Sequence, residues 1–211
     1  MFKQLSWWQK IKDKLQKKRR RRFVFCGVNN RFLFSKWKTV KKMNFYVYGD
    51  NNEIIIKTDK VFLGKIFVGM PDCPVNSCRV IIEEEATSNG AIICLLEDNS
   101  SVIIGEDVML ADNIKIYASD THTILNAQNQ LINIGQQVNI GKHVWLGTGV
   151  LIAKNSIIAD GCVVGMGSVV AGKFTEPNCV IAGNPAKVVK RDICWNRERP
   201  NNFLKQQREK K

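Results

Sequence analysis

Residues 134–171 read IGQQVN, IGKHVW, LGTGVL, IAKNSI, IADGCV, VGMGSV and VA. Written in sixes, the first column is Ile134, Ile140, Leu146, Ile152, Ile158, Val164 and Val170. The second column is small throughout: Gly135, Gly141, Gly147, Ala153, Ala159, Gly165 and Ala171. A helix of 3.6 residues per turn cannot hold a six-residue period on one face. An alternating strand has no need of a small residue at every repeat. Short strands joined by tight turns satisfy both columns, winding as a parallel β-helix whose stacked side chains fill a narrow interior. Three hexads make one triangular coil, and the pattern reaches upstream through Ile104-Gly105, Leu110-Ala111 and Ile116.

The interval from Ile116 to Ile134 equals one coil, yet its intermediate hexad positions are His122 and Gln128. Polar side chains are costly in a narrow apolar interior. Residues 121–133 are therefore predicted to leave the coil as a loop, with Ile134 back in register. From Phe23 to about Leu96 the hexads are imperfect. The runs Ile54-Ile55-Ile56, Val80-Ile81-Ile82 and Val102-Ile103-Ile104 are separated by turns at Gly49-Asp50-Asn51-Asn52 and Asp98-Asn99-Ser100. They read as early coils that cap the β-helix and lengthen its core, with their pairing left open. The resulting organisation is an arm over 1–22, irregular coils over 23–96, repeats over 97–185 and a C-terminal segment over 186–211. In that last segment Ala186 to Asp192 suits a helix, with Pro185 pre-set for its first turn. The tail after Pro200 is expected to fray.

The net charge is +13. Residues 1–22 carry ten basic residues against Asp13, which is +9 of that total. Leu5, Trp8, Ile11 and Leu15 follow helical spacing within the same arm. A basic helix with Trp and Leu on one face can lie in an interface with anionic lipid. It can equally pack on the β-helix or on a partner. No recognised nucleic-acid module accompanies the charge, which argues against nucleic acid as a partner. The chain has no apolar run long enough to span a bilayer and no apolar segment behind the N-terminal charges. A cytoplasmic protein is expected, with the arm as its means of peripheral attachment to the inner face of the membrane. The seven cysteines contain no C-x-x-C pair and are expected to be reduced and structural, Cys162 at an interior hexad position.

Four stretches resemble the hexapeptide-repeat acetyltransferases: Ser119-Asp120-Thr121-His122, Gly141 to Gly147, Val164 to Val170, and Pro177 to Val189. Within that family the chain looks most like the bacterial enzymes that O-acetylate capsule polysaccharides and polysialic acid. The resemblance implies an all-β, left-handed parallel β-helix and a homotrimer with each site built between two subunits. It also implies acetyl-CoA as co-substrate and His122 as catalytic base, with Trp145 beside it across the subunit boundary. Imidazole titrates close to neutral pH, which suits a base that takes a proton from a hydroxyl and passes it on. Trp145 would position the acetyl group, with a backbone or indole N–H for the oxyanion. His143 stands in a turn and reads as structural or solvent-facing. With only two histidines the chain cannot supply the three-histidine zinc site of the carbonic anhydrases built on this fold, and no metal is expected.

For coenzyme A the resemblance points to Thr148, Met166, Ala171 and Gly172, and to Lys187 and Lys190 near the nucleotide phosphates. Met166 is bulkier than the residue often found there, and Gly172 replaces a common lysine, for which Lys173 can substitute. Gly147, Gly165 and Gly183 are spaced one coil apart and are predicted to stack as a column free of side chains. The acceptor class that follows is a sugar hydroxyl of a bacterial surface polysaccharide. The alternatives are a small acceptor, such as a free or nucleotide-linked sugar or an antibiotic, and a non-catalytic β-helix assembly module.

Overall fold

The computed structural model describes residues 22–209, so all of the basic arm but Arg22 lies outside the described residues. The chain winds as a parallel β-helix with three faces. The first face stacks β2 (Arg31–Phe34), β4 (Glu53–Ile56), β6 (Arg79–Ile82), β8 (Ser101–Ile104), β11 (Gln137–Ile140), β14 (Ile157–Ile158) and β17 (Lys173–Phe174) in parallel. The second stacks β9 (Met109–Leu110), β12 (Trp145–Leu146), β15 (Val163–Val164) and β18 (Val180–Gly183). On the third lie β1 (Phe23–Cys26), β3 (Met43–Tyr48), β5 (Phe62–Val68), β10 (Ile114–Tyr117), β13 (Leu151–Ile152) and β16 (Val169–Val170). One strand, β7 (Thr87–Leu95), bends round a corner: Thr87 pairs with Met109 and Ile93 with Ile116.

The first hexad column is the core. Ile140, Leu146, Ile152, Ile158, Val164 and Val170 are all buried, and each such side chain contributes about 1.5–3 kcal/mol by leaving water. Cys162 stacks among them, and burial pushes its thiol up. The second column sits at the corners, where consecutive coils approach closely. A Cβ on Gly147 would meet the Met166 backbone nitrogen at 2.8 Å, and one on Gly135 would meet the Ala118 carbonyl oxygen at 2.1 Å. All three corners place residues of several coils in the left-handed conformation: Asp107, His143, Gly161 and Asn178 at one, Asn113, Gly149 and Gly167 at the next, and Asn51, Ser77, Asn99 and Asn155 at the third. Asn, Asp and Gly tolerate that conformation best.

The early coils stack in one order. Ile54 pairs with Val80 and Val80 with Val102, so the three β-branched runs form one ladder. Their turns are bonded side chain to backbone: Asn30 Oδ1 accepts from the Asn52 N–H at 2.9 Å and Asn52 Oδ1 from the Cys78 N–H at 2.9 Å. A short helix, α1 (Trp37–Val40), and the rings of Phe23, Phe32 and Phe45 close that end.

Five local expectations are corrected. Ile134 is 55% exposed and holds no core position. Ile116 pairs directly with Ile152, so no coil exists between them, and the excursion from Ala118 to Gln136 merely has the length of one. Gly183 leaves the glycine column, because Val164 pairs with Ile181, 17 residues on, and Ala182 stacks on Gly165 instead. Ala186 to Lys190 is not helical but forms β19, antiparallel to β18, covering what would be a bare sheet edge. The segment after Pro200 does not fray: α2 (Pro200–Glu209) begins with proline in its first turn.

Candidate active site

His122 lies on the excursion between β10 and β11, at the corner joining the third and first faces. Beyond it the chain forms a small hairpin, with Leu125 bridged to Leu131 and Asn126 Oδ1 accepting the N–H groups of Gln128 and Gln130. Its base is held by five polar side chains. Glu97, on the coil before, accepts from Ser119 Oγ at 2.7 Å and from the Gly135 N–H at 2.6 Å, tying both ends of the excursion to one carboxylate. The buried Asn133 donates from Nδ2 to the His122 carbonyl at 2.7 Å and to Asp120 Oδ2 at 3.0 Å, while its Oδ1 accepts from the Ile124 N–H at 2.8 Å. Lys154, one coil further along, binds Asp120 at 2.6 Å and donates to the Asn133 carbonyl. The hydrogen bonds from Lys154 and then Asn133 hold the Asp120 carboxyl below its ordinary value.

These contacts fix the backbone of His122 and leave its ring alone. The residue is exposed, and no hydrogen bond to the ring is made among the described residues. A histidine so displayed can exchange a proton with a bound hydroxyl. Glu97, Asn133 and Lys154 were not singled out from sequence. Their signal is weak, since charged and amide residues at turns are ordinary. Only the stacking of coils brings residues 97, 133 and 154 to one place.

Trp145 lies on β12 in the second face, 38% exposed. In a three-sided prism, the corner from which the His122 excursion departs is opposite that face. The two residues are thus carried on opposite sides of one chain. The Trp145 backbone N–H donates to the Cys162 carbonyl at 2.9 Å, leaving the indole N–H as the donor it can offer elsewhere. His143 is held by contacts within the chain. Its Nδ1 lies 2.6 Å from Asp107 Oδ2, its Nε2 lies 3.0 Å from the Trp195 carbonyl, and its ring stacks on the Trp195 indole at 4.1 Å.

The candidate coenzyme residues divide between two corners. Gly147, Thr148, Gly165 and Met166 follow β12 and β15 at the corner between the second and third faces. Ala171, Gly172 and Lys173 turn from β16 into β17 at the corner beneath the His122 excursion. Met166 is 78% exposed, and a Cβ on Gly167 or Gly172 would meet nothing within 4 Å. Gly147 is required by coil packing, whereas Gly167 and Gly172 border open space. Lys187 and Lys190 are exposed on β19 beside β18. Open backbone suits an extended neutral arm, and exposed lysines suit phosphates, the two chemical parts of coenzyme A.

Residues 137–172 match the family model of the bacterial transferase hexapeptide (six repeats). These residues carry the hexapeptide repeat that the family model describes. Its left-handed β-helix is shared with solved structures. A polysialic acid O-acetyltransferase, OatWY, matches at 28% identity and a TM-score of 0.62, over 87% of this chain and 95% of that one. The polySia-specific acetyltransferase NeuO matches at 23% identity and a TM-score of 0.52, over 90% and 98%. A variant of AntD, an N-acyltransferase from Bacillus cereus in complex with dTDP and coenzyme A, shares the hexapeptide-repeat fold at 18% identity and a TM-score of 0.50, over 96% of each chain. Among the curated proteins none matches by sequence.

Proposed function

We propose that this hexapeptide-repeat protein is an acetyl-CoA-dependent O-acetyltransferase acting on a sugar hydroxyl of a bacterial surface polysaccharide, with sialic-acid polymers the leading acceptors. The observation that carries the reading is His122, displayed on an excursion whose backbone is pinned from both sides while its ring stays free. The likeness to OatWY over nearly its whole length supports the acceptor class. Acetyl-CoA, when bound, supplies the acetyl group as a thioester. Gly147, Thr148, Gly165, Met166, Ala171, Gly172 and Lys173 would line its arm, with Lys187 and Lys190 toward its phosphates. His122 takes the proton of the attacking hydroxyl at a ring nitrogen and returns it to the departing thiolate. Trp145 orients the acetyl group and offers its indole N–H to the developing oxyanion.

Within one chain, His122 and Trp145 project from opposite sides, so the working site needs the His122 of one subunit and the Trp145 of the next. A homotrimer closes that arrangement symmetrically. The excursion supports it: Ile124, Leu125, Leu131, Ile132 and Ile134 are 46% to 59% exposed, an apolar surface suited to a neighbouring subunit. The test is thiol release from acetyl-CoA by the purified protein, with polysialic acid, neutral capsule polymers and free sugars offered in parallel. Release stimulated by the sialic-acid polymer is expected. Stimulation by free sugars alone would assign a small acceptor, and no release with any acceptor would overturn the enzymatic reading.

A further inference from the structure

Trp195 follows the last strand, outside the hexad pattern, yet it sits beside Trp145 with ring centroids 5.9 Å apart and planes at 43°. Its own placement is fully specified. The His143 ring stacks on it at 4.1 Å with planes within 10°, which sets the tilt of the indole. Its Nε1–H donates to the His143 carbonyl at 2.9 Å, which sets its rotation in the plane. Its carbonyl in turn meets His143 Nε2 at 3.0 Å, and His143 Nδ1 meets Asp107 at 2.6 Å. Two residues on, the Arg197 guanidinium binds the other Asp107 oxygen at 2.8 Å, Thr87 Oγ1 at 2.8 Å, and the Asp107 and Val108 carbonyls at 3.1 and 3.3 Å. Burial alone would raise the Asp107 carboxyl. The bonds from His143 and Arg197, with the Arg197 charge, hold it below its ordinary value.

Arg197 ties the chain end to Thr87, Asp107 and Val108. The remaining bonds act on one indole, and that indole is the neighbour of Trp145. We propose that the Asp107–His143–Trp195–Arg197 clasp positions Trp145, making Trp195 and His143 positioning residues for acetyl transfer. The inference rests on Trp145 being a site residue, as in the function proposed above. Trp145 is partly exposed between Met109 and Val163 of the adjoining coils, and a fixed ring beside it limits its side-chain rotamers. Small misplacements of a group acting on the transition state cost rate rather than binding.

The test uses the full chain with three single variants, Trp145→Phe, Trp195→Phe and His143→Asn. Asparagine suits the left-handed backbone at 143, where φ is +50°, so that variant is expected to fold even if Trp195→Phe does not. For Trp195→Phe and His143→Asn, kcat should fall roughly tenfold with KM for both substrates within about twofold. The near-UV ellipticity of the two indoles should be non-additive in the Trp145→Phe, Trp195→Phe cycle. If Trp145→Phe keeps the wild-type kcat, the reading of Trp145 as a site residue fails. If Trp145→Phe is slow while Trp195→Phe and His143→Asn lose only melting temperature, that reading stands and the clasp is a tail anchor, which overturns this inference.

Discussion

The coils from Gln137 to Val170 and the excursion from Ala118 to Gln136 are built on opposite plans. In the coils the apolar residues point inward, and backbone bonds such as Gly147 N–H to the Val164 carbonyl repeat at every turn. In the excursion Ile124, Leu125, Leu131, Ile132 and Ile134 point outward while Asn133 and Ser119 are buried. It is held mainly by side-chain bonds to Glu97 and Lys154, which belong to other coils. The coils hold the core, and the excursion displays the candidate base. A rigid ladder needs no particular residue beyond its apolar and small columns, whereas the excursion depends on a few individual side chains.

That division can be broken at either end. The largest effect is expected from His122→Ala, which should lower kcat about 10²–10⁴-fold while trimer assembly and melting temperature stay near wild type. Sedimentation and steady-state kinetics read both. A normal kcat would remove the base from the mechanism.

The converse substitution is Leu146→Ala in the coil core. Leu146 is fully buried, so the cavity should cost about 2–5 kcal/mol of stability. Chemical denaturation would show it, and kcat per folded molecule should change little. A catalytic loss exceeding the loss of folded protein would mean that coil and excursion are not separable.

Between these lies Glu97→Gln, which keeps the shape but removes the charge that receives Ser119 Oγ and the Gly135 N–H. Bonds to a charged acceptor are worth about 1.5–3 kcal/mol, and the loss should fall locally on the excursion. Faster proteolysis within residues 118–136, with the coils still protected, is the expected pattern. Uniform protection would show that Glu97 does not anchor the excursion.

The smallest effect is an acid one. Asp120 is held below its ordinary value of 3.8 by Lys154 and Asn133, so its contribution is fully present above that value. It is lost as pH falls through the depressed one. The side-chain amide resonances of Asn133 should shift over that acid range, and the shift should move to higher pH in Lys154→Met. An unchanged titration in that variant would remove the Lys154–Asp120 pair from the anchor.

Much of this was legible in the residues themselves. The six-residue period of apolar and small side chains points to a β-helix, because a 3.6-residue helix cannot hold that period on one face and an alternating strand needs no small residue at every repeat. His122 stood out for a related reason: a polar side chain at an interior hexad position forces the chain out of the coil. The break marked where the chain leaves the coil, and the resemblance through Asp120-Thr121-His122 made that residue the candidate base. The Ile54, Val80 and Val102 runs announced strands without announcing that they stack on one another.

What only the tertiary structure decided is where the count of six fails. The spacing from Ile116 to Ile134 matches a coil that does not exist, and Gly183 missed its column because one coil closes in 17 residues. A period read along the chain assumes equal turns, but pairing between coils depends on which backbone groups meet across space. The same holds for the groups around the candidate site. Glu97, Asn133 and Lys154 are distant in sequence and ordinary in type, as are Asp107, His143 and Trp195. Their proximity is created by the winding of the chain, which local sequence does not encode.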